Sequence, residues 1–259
     1  MKKILKFFVQ FYLKILTKIV LARHKPEIIA IAGTDNKTNV KEILLKTLRF
    51  FNEDVRANPR SYNTEIGLPL AVLYLPSGFS NFWSWLKILY QGTCVALFSR
   101  KFPKKLILEL GIDKPGDMDY LLTLVKPKIT IFTEITPAYL DSFQSLDNLA
   151  LEYKKLIISL KQGGIAVLNN DDLRIKNLCQ YNSKIKHWFY GFNEKSDLQL
   201  AERKITEKGQ IFKIKYQNKE IGCEISKRGD HHLYAALCAL IVGLIYGYKL
   251  EDLIKQINN

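Results

Sequence analysis

Two kinds of hydrophobic pattern alternate along the chain. Short apolar runs recur, and between them apolar residues return every three or four positions. The runs predict strands at residues 28–32, 106–109, 129–133, 165–169 and 187–189, and the longer period predicts helices at 40–50, 118–125, 146–160 and 231–246. Strands this short and apolar, set between helices, are typical of a parallel sheet that is covered on both faces. We therefore predict an α/β fold with a mostly parallel sheet and helices on both faces.

Residues 198–225 follow a different pattern. Phe212, Ile214 and Tyr216 alternate with polar residues, and Lys208-Gly209 and Gln217-Asn218 provide turns. This alternation predicts a small antiparallel meander. The predicted organisation is a basic amphipathic helix in residues 1–25, a central domain in 26–248 and a short C-terminal helix or tail in 249–259.

Composition limits the class of protein. A chain of 259 residues with 47% hydrophobic content can bury one good core, or a core and an appendage. Its four cysteines have no metal-ligand spacing, which argues against a zinc site or a disulfide framework and for a reducing compartment. The formal charge of +14 suits an acidic partner such as a nucleotide, an anionic lipid or a nucleic acid. Charge alone does not choose among these partners.

Residues 1–25 combine apolar and basic side chains. Lys14 and Lys18 interrupt the apolar run and no small-residue cleavage site follows, which argues against a spanning helix or a signal peptide. A basic amphipathic helix on the inner face of the cytoplasmic membrane fits this pattern, because lysines can snorkel while Phe and Ile enter the headgroup boundary. A helix packed on the protein's own sheet, or on a partner, fits it equally well.

A second segment, residues 79–98, carries Trp83, Trp85 and Tyr90 beside aliphatic residues and is followed by a basic stretch. Trp and Tyr favour membrane interfaces, since each combines an apolar ring with a polar group. The alternative is a hydrophobic hairpin that covers the sheet. Together the two segments predict a cytoplasmic protein that associates peripherally with an anionic membrane surface.

Residues 33–38 carry the candidate chemistry. Gly33-Thr34-Asp35-Asn36-Lys37-Thr38 lies directly after the first predicted strand and before a predicted helix. In such a phosphate-binding loop, backbone N–H groups surround the phosphates, the lysine reaches the β/γ oxygens and the threonine holds Mg²⁺. Asn36 stands where the second glycine belongs. Asn tolerates a positive φ, but its Cβ lies where a phosphate approaches, so we predict weak nucleotide binding and impaired catalysis.

Further motifs follow the loop in a recognisable order. They are Tyr62-Asn63-Thr64-Glu65-Ile66-Gly67-Leu68-Pro69, Leu108-Glu109-Leu110-Gly111, Pro115-Gly116-Asp117-Met118, Lys126-Pro127, Thr133-Glu134-Ile135 and Leu168-Asn169-Asn170-Asp171-Asp172. Over residues 26–248 the chain resembles the central, P-loop type ATP-binding domain of the Mur ligases. Within that family it is most similar to the branch that adds D-alanyl-D-alanine to the UDP-muramoyl tripeptide.

The resemblance implies a reaction and a set of site residues. Mur ligases phosphorylate a substrate carboxylate with ATP, and an amine then attacks the acyl phosphate, so the implied ligands are ATP, Mg²⁺ and a UDP-muramoyl peptide of peptidoglycan synthesis. Lys37 and Glu109 become the candidate catalytic residues, and Thr38 and Glu109 the candidate metal ligands. The candidate nucleotide-binding residues are Gly33, Thr34, Asp35, Asn36, Lys37, Thr38 and Asn63.

The chain also departs from the family pattern. Tyr139 replaces a Mg²⁺-associated histidine, and Tyr153 replaces the lysine that becomes carbamylated. Lys154 is the next residue, but one helical residue turns a side chain by roughly 100°. Lys154 is therefore a poor substitute for that lysine. The family's motif Gly-x-His-Asn-x-x-Asn, whose second Asn helps to bind adenine, is replaced by Gly-Asp-His-His-Leu-Tyr-Ala at residues 229–235. The family's pair of threonines in the phosphate loop is replaced by Thr38-Asn39. The family's N-terminal and C-terminal domains are not recognised in the chain.

Three functions remain open from the sequence. The first is an ATP-dependent amide ligase that is impaired or dependent on a partner, either an intact ligase or a separate protein with the C-terminal domain. The second is a catalytically inactive nucleotide-binding or scaffold protein at the membrane, which the departures favour. A nucleic-acid-binding module ranks last, because no recognised nucleic-acid motif accompanies the charge.

Overall fold

The computed structural model describes residues 3–58, 60–78, 81–138 and 140–258. The strands are β1 (Glu27–Ala32), β2 (Val55–Ala57), β3 (Lys105–Leu110), β4 (Ile129–Phe132), β5 (Ile165–Asn169), β6 (Lys186–Gly191), β7 (Leu198–Thr206), β8 (Gly209–Tyr216) and β9 (Lys219–Ile225). The helices are α1 (Lys3–His24), α2 (Lys37–Phe50), α3 (Gly67–Leu73), α4 (Phe82–Phe98), α5 (Asp117–Leu124), α6 (Leu140–Phe143), α7 (Leu146–Ser159), α8 (Leu173–Asn177), α9 (Asp230–Ile245) and α10 (Leu250–Ile257). A short 3-10 helix, Leu178–Tyr181, follows α8.

The strands of the described residues form one sheet in the order β2-β3-β1-β4-β5-β6-β7-β8-β9. Pairing is parallel from β2 to β7 and antiparallel from β7 to β9. Strand β1 lies in the parallel part between β3 and β4, where Ile29 is in register with Ile107 on one side and Ile129 on the other. The predicted mostly parallel α/β fold is confirmed.

Two hydrophobic clusters cover the two faces of the sheet, because buried strand residues point alternately to each side. On one face, residues of α2, α9 and α10 pack on Ile29 and Ile31 of β1. On the other face, residues of α3, α5, α7 and α8 pack on Ile28 and Ala30. The parallel part of the sheet is therefore enclosed by helices on both sides, and its strand ends remain available for a site.

The predicted meander is confirmed and continues the main sheet. Strand β7 pairs in parallel with β6 and in antiparallel fashion with β8. Phe212 and Ile214 of β8 are buried, as their alternation predicts. The β8–β9 turn places Gln217 and Asn218 at φ 48° and 64°, in the left-handed region that Asn tolerates better than most residues.

Two parts of the architecture differ from the sequence interpretation. Strand β2 was not predicted, because three residues carry no measurable periodicity. The alternative of a hydrophobic hairpin in residues 79–98 is wrong, since residues 82–98 form the single helix α4. Asn81 accepts a backbone hydrogen bond from Ser84 and so caps this helix. Phe79 and Ser80 lie outside the described residues.

Helix α1 packs on the protein itself along one face. Val9, Leu13, Leu16 and Val20 are buried in a third hydrophobic cluster with residues of α3 and α4. The opposite face leaves apolar side chains in solvent, among them Phe8 and Ile15. Of the helices in the described part of the chain, none is long and apolar enough to cross a membrane.

This packing predicts different roles for the two faces of α1. Leu13 is fully buried, so Leu13→Ala should lower the free energy of unfolding by about 2–5 kcal/mol. Phe8 is largely exposed, so Phe8→Ala should change it by no more than about 0.5 kcal/mol. Urea denaturation of the two variants measures both quantities. Equally small losses would mean that α1 is not docked in solution.

Candidate functional site

The candidate residues meet at the carboxyl ends of the parallel strands. Residues 33–38 follow β1, Glu109 lies near the end of β3, and Thr133 and Glu134 follow β4. In open α/β sheets, ligands bind at this edge where neighbouring connections leave in opposite directions. The order β3-β1-β4 creates such a point at β1.

The loop after β1 is held against the end of β4. Gly33 has φ 136°, and a Cβ at this position would lie 2.0 Å from Thr133 Oγ1. The Thr133 hydroxyl donates a 2.7 Å hydrogen bond to the carbonyl of Asp35, and the backbone N–H of Thr34 donates to the carbonyl of Glu134 at 2.8 Å. Only glycine satisfies both the backbone angle and the close approach at position 33.

Asn36 adopts the left-handed conformation that the sequence predicts, with φ 64°, immediately before α2. Its side-chain amide donates to the carbonyl of His231 on α9 at 2.8 Å and its Oδ1 accepts from Asn39 at 3.0 Å. The backbone N–H of Asn36 donates to Asp35 Oδ1 at 2.6 Å. Asn36 therefore ties the loop to α9, and a carboxylate already engages one of the N–H groups of the loop.

The Lys37 ammonium is buried and folded onto its own loop. It donates to the carbonyl oxygens of Gly33 at 2.6 Å and Thr34 at 3.0 Å. Burial lowers the pKa of Lys37, and the carboxylates of Glu109, Asp35 and Asp113 oppose that shift. An ammonium has three N–H donors, and these two hydrogen bonds use two of them within the loop.

Glu109 is held by a cation that the sequence interpretation missed. Lys41 Nζ lies 2.8 Å from Glu109 Oε1, and both side chains are only 3% exposed. Thr38 Oγ1 lies 3.3 Å from each oxygen of the same carboxylate. Lys41 reaches this position because it is one helical turn beyond Lys37, on the same face of α2. The four-residue spacing of Lys37 and Lys41 was the sequence signal for this pair, and the same spacing is common among surface lysines.

The oxygen atoms around Thr38 are of the kind that Mg²⁺ prefers as ligands. The Thr38 hydroxyl lies between the Glu109 carboxylate and Ser61 Oγ, which is 3.1 Å away. Within the described ranges, no group of three or more His, Cys, Asp or Glu side chains is arranged to hold a metal. Mg²⁺ usually binds one or two carboxylates together with water and substrate phosphates. One carboxylate and one hydroxyl thus fit a Mg²⁺ ion that arrives with a nucleotide.

Asn63 lies beside the same edge. Its carbonyl accepts a 2.9 Å hydrogen bond from the backbone N–H of Gly111. A Cβ on Gly111 would come within 2.7 Å of the Asn63 side chain. The Asn63 loop is therefore packed against the chain two residues after Glu109.

Carboxylate and amide side chains continue the candidate site from the end of β4 to the end of β5. Burial raises the pKa of Glu134, and the nearby carboxylates of Asp35 and Asp172 raise it further. Asp172 accepts from the backbone N–H of Ile135 at 2.7 Å, and Asn169 donates to the carbonyl of Thr133 at 2.8 Å. These bonds brace the ends of β4 and β5 beside an open cleft of about 370 Å³. The sequence marked the motif at 168–172 but did not predict this bracing role.

The position to which the resemblance assigns a lysine, residue 153, is part of the core in this chain. Tyr153 of α7 is buried and packs edge-on against Phe132, with ring centroids 6.3 Å apart. Lys154 instead lies over the ring of Tyr181, 3.9 Å from its centroid. Glu152 accepts from the backbone N–H groups of Gly116 and Met118, both at 3.0 Å, and so caps α5. Tyr139, at the predicted histidine position, lies outside the described residues.

The parallel sheet and the loop after β1 are features of P-loop type α/β domains. The Mur ligase middle domain matches residues 92–243, which is more than half of the chain. The chain belongs to this family.

Several curated relatives are UDP-N-acetylmuramoyl-tripeptide–D-alanyl-D-alanine ligases. The protein from Buchnera aphidicola is 28% identical over 231 residues, which is 86% of this chain and 43% of the relative. The protein from Bacillus subtilis is 25% identical over 243 residues, 94% of this chain and 46% of the relative. The chain thus spans about half the length of the curated relatives it matches.

Solved structures share the fold. The MurF ligase from Thermotoga maritima, in complex with ADP, superposes with a TM-score of 0.76 at 20% identity and covers 97% of this chain and 52% of that one. A MurF from Acinetobacter baumannii gives a TM-score of 0.75 at 19% identity, over 94% of this chain and 49% of that one.

The buried pair of Lys41 and Glu109 predicts a stability effect. Lys41→Met should lower the free energy of unfolding by about 3–5 kcal/mol, because it leaves a buried carboxylate without its cation. Lys46→Met, at an exposed position of the same helix, should change it by no more than about 0.5 kcal/mol. The double variant Lys41→Met/Glu109→Met should regain most of the loss. Chemical denaturation tests all three, and an unchanged Lys41→Met protein would contradict the buried pair.

Proposed function

We propose that this chain binds ATP with Mg²⁺ as the nucleotide-binding part of a ligase of peptidoglycan precursor synthesis in the cytoplasm. The observation that carries the proposal is the loop after β1. Gly33 and Asn36 hold positive φ angles there, and Lys37 and Thr38 begin α2 beside the Glu109 carboxylate. A helix N-terminus with a lysine and a hydroxyl is a site for nucleotide phosphates.

Each side chain has a distinct task in this proposal. The backbone N–H groups at the start of α2 and the remaining donor of Lys37 bind phosphate oxygens, because the N–H groups of Thr34 and Asn36 already donate to Glu134 and Asp35. Thr38 and Glu109 would hold Mg²⁺, which would neutralise phosphate charge. Lys41 keeps the Glu109 carboxylate at the same place. Asn63 positions the loop that faces Glu109.

The family and the names of the relatives support a reaction class. A substrate carboxylate attacks the γ-phosphorus of ATP, the bond to the β-γ bridging oxygen breaks, and ADP leaves. An amine then attacks the acyl carbon and displaces phosphate. We propose a UDP-muramoyl peptide as the carboxylate donor and D-alanyl-D-alanine as the amine. Transfer of this kind depends mainly on positioning and charge neutralisation.

We further propose that catalysis is impaired or needs a second polypeptide. The buried Tyr153 takes the place of the family's lysine, and Asn36 adds a side chain to the phosphate loop. A partner that supplies the amine site, either an intact ligase or a separate domain protein, would complete the reaction.

A catalytically inactive scaffold is the second candidate, and one observation favours it. The loop satisfies its own groups without a ligand, since Lys37 is bonded to loop carbonyls and Asn36 to His231. Such a loop keeps its shape whether or not a nucleotide is bound.

Calorimetry with ATP and Mg²⁺ tests the binding proposal. We expect weak binding by the parent chain and a ten- to hundredfold loss in Lys37→Ala, because one charge-assisted phosphate contact contributes about 1.5–3 kcal/mol. Lys46→Ala, at an exposed position of the same helix, should bind as the parent does. Asn36→Gly should bind more tightly, since glycine keeps the positive φ and removes the crowding Cβ. A parent without ATP binding, or a Lys37→Ala protein with unchanged affinity, would refute the assignment.

The isolated chain should not catalyse ligation. With UDP-muramoyl tripeptide, ATP, Mg²⁺ and D-alanyl-D-alanine, we expect slow phosphate release at most and no amide product. The reason is that buried Tyr153 stands at the position of the family's lysine and Asn36 adds a side chain to the phosphate loop, so the developing phosphate charge is poorly neutralised. Sustained amide formation at about 1 per second or faster would show an ordinary enzyme rate and overturn the impaired assignment.

A further inference from the structure

Helices α1 and α4 meet at a seam that faces solvent. The hydroxyl groups of Tyr12 and Thr93 are 2.8 Å apart across this seam. Phe8, Ile15 and Ile19 are spaced four, three and seven residues from Tyr12, so they share its helical face. Leu86, Tyr90 and Leu97 are spaced seven, three and four residues from Thr93 and share that face of α4. Two exposed apolar stripes therefore lie side by side.

This double stripe, which we call the α1–α4 surface, is large. Its exposed apolar side chains are Phe8, Phe11, Ile15, Ile19, Phe82, Trp83, Leu86, Tyr90 and Leu97. Trp83 and Tyr90 are 76% and 71% exposed. An aromatic side chain presents about 150–250 Å² when free, so the aromatic rings alone reach the several hundred Å² of a functional patch.

The charged side chains on the two segments that carry the α1–α4 surface are all basic, although Lys6 pairs with Glu65 and Lys105 with Glu53. Residues 1–25 and 82–105 contain no Asp or Glu. They do contain Lys2, Lys3, Lys6, Lys14, Lys18, Arg23, Lys25, Lys87, Arg100, Lys101, Lys104 and Lys105. Lys18 and Lys87 are exposed, and neither has an ion-pair partner among the described residues.

We propose that the α1–α4 surface docks on an anionic lipid bilayer. The inner faces of both helices are fixed by the third hydrophobic cluster, so the outer faces form a preformed platform. Phe8, Trp83 and Tyr90 would enter the headgroup boundary, and Lys18 and Lys87 would approach lipid phosphates. This is interfacial binding and not insertion.

Charge decides between a bilayer and a protein as the occupant. A second copy of this chain would bring two basic surfaces of the same composition together, and like charges oppose such a contact. A protein partner would need an acidic rim to match the lysines. An anionic bilayer supplies both the negative charge and the apolar boundary that the exposed aromatic rings favour.

Vesicle flotation of the full chain tests the proposal. The vesicles contain equal parts of phosphatidylcholine and phosphatidylglycerol, with vesicles of phosphatidylcholine alone for comparison. We expect flotation with the anionic vesicles, at least tenfold weaker binding to the neutral ones, and weaker binding at about 1 M salt, where the screening length falls to about 3 Å.

Two variants of the α1–α4 surface probe its apolar and basic parts separately. Phe8→Ser/Ile15→Ser/Leu86→Ser changes exposed side chains, and its matched control is Phe50→Ser/Leu151→Ser/Ile205→Ser, at exposed positions elsewhere. Lys18→Glu/Lys87→Glu has the matched control Lys208→Glu/Lys219→Glu. Each surface variant should bind anionic vesicles at least about tenfold more weakly than its control.

Nucleotide binding and bilayer docking are separable in this design. Lys37→Ala should float as the parent does, so failure of ATP binding leaves the bilayer proposal standing. The proposal is overturned if the parent does not float, or if both surface variants float like their controls. It is also overturned if sedimentation shows a parent dimer that the serine variant converts to monomer, since the surface would then join two copies.

Discussion

The contact between Gly33 and Thr133 is the constraint on which the candidate site depends. It sets how closely the turn after β1 approaches the end of β4, because a Cβ at position 33 would lie 2.0 Å from Thr133 Oγ1. The same hydroxyl fixes the carbonyl of Asp35. Since α2 begins directly after this turn, the position of Gly33 also directs Lys37, Thr38 and Lys41 toward the end of β3.

Charge balance is the second determinant of the site. Glu109 is almost fully buried, and a buried carboxylate is stable only when it is paired and hydrogen-bonded. Lys41 and Thr38 meet that need from successive turns of one helix. Lys37, one turn before Lys41, is satisfied by carbonyls of the loop. The groups that would bind phosphate and metal thus have internal partners, so a nucleotide must compete with contacts that the chain already makes.

Much of the fold follows from local patterns in the sequence. Apolar runs such as residues 165–169 and the glycine-to-threonine loop at 33–38 identify the sheet and its functional edge, because period and spacing are local properties. The three-residue strand β2 carries no such signal. Helix α1 is ambiguous for another reason, since Leu13 and Ile15 are equally apolar although only the first is buried.

The parts of the site that sequence reasoning missed are contacts between distant residues. Lys41 and Glu109 are far apart in the chain, and Lys41 has the composition of a surface lysine. Glu152 caps α5 from a different helix, and no local pattern of charges predicts its hydrogen bonds to the backbone of α5. Such pairs depend on how the connections of the sheet bring helices together, so they become visible only when the topology is known.

Helix α1 is linked to the candidate site by one surface ion pair and by the third hydrophobic cluster, against which Tyr62 and Ile66 pack on either side of Asn63. Lys6 of α1 pairs with Glu65 at 2.8 Å, and Glu65 lies two residues after Asn63, whose carbonyl holds Gly111 near Glu109. The Lys6 side chain is half exposed, and such surface pairs contribute about 0–1 kcal/mol. A contact of that strength transmits at most about a fivefold change in affinity between the two regions. The inner face of α1 therefore stabilises the fold and the segment that carries Asn63, whereas Lys6 contributes to that segment only a surface pair.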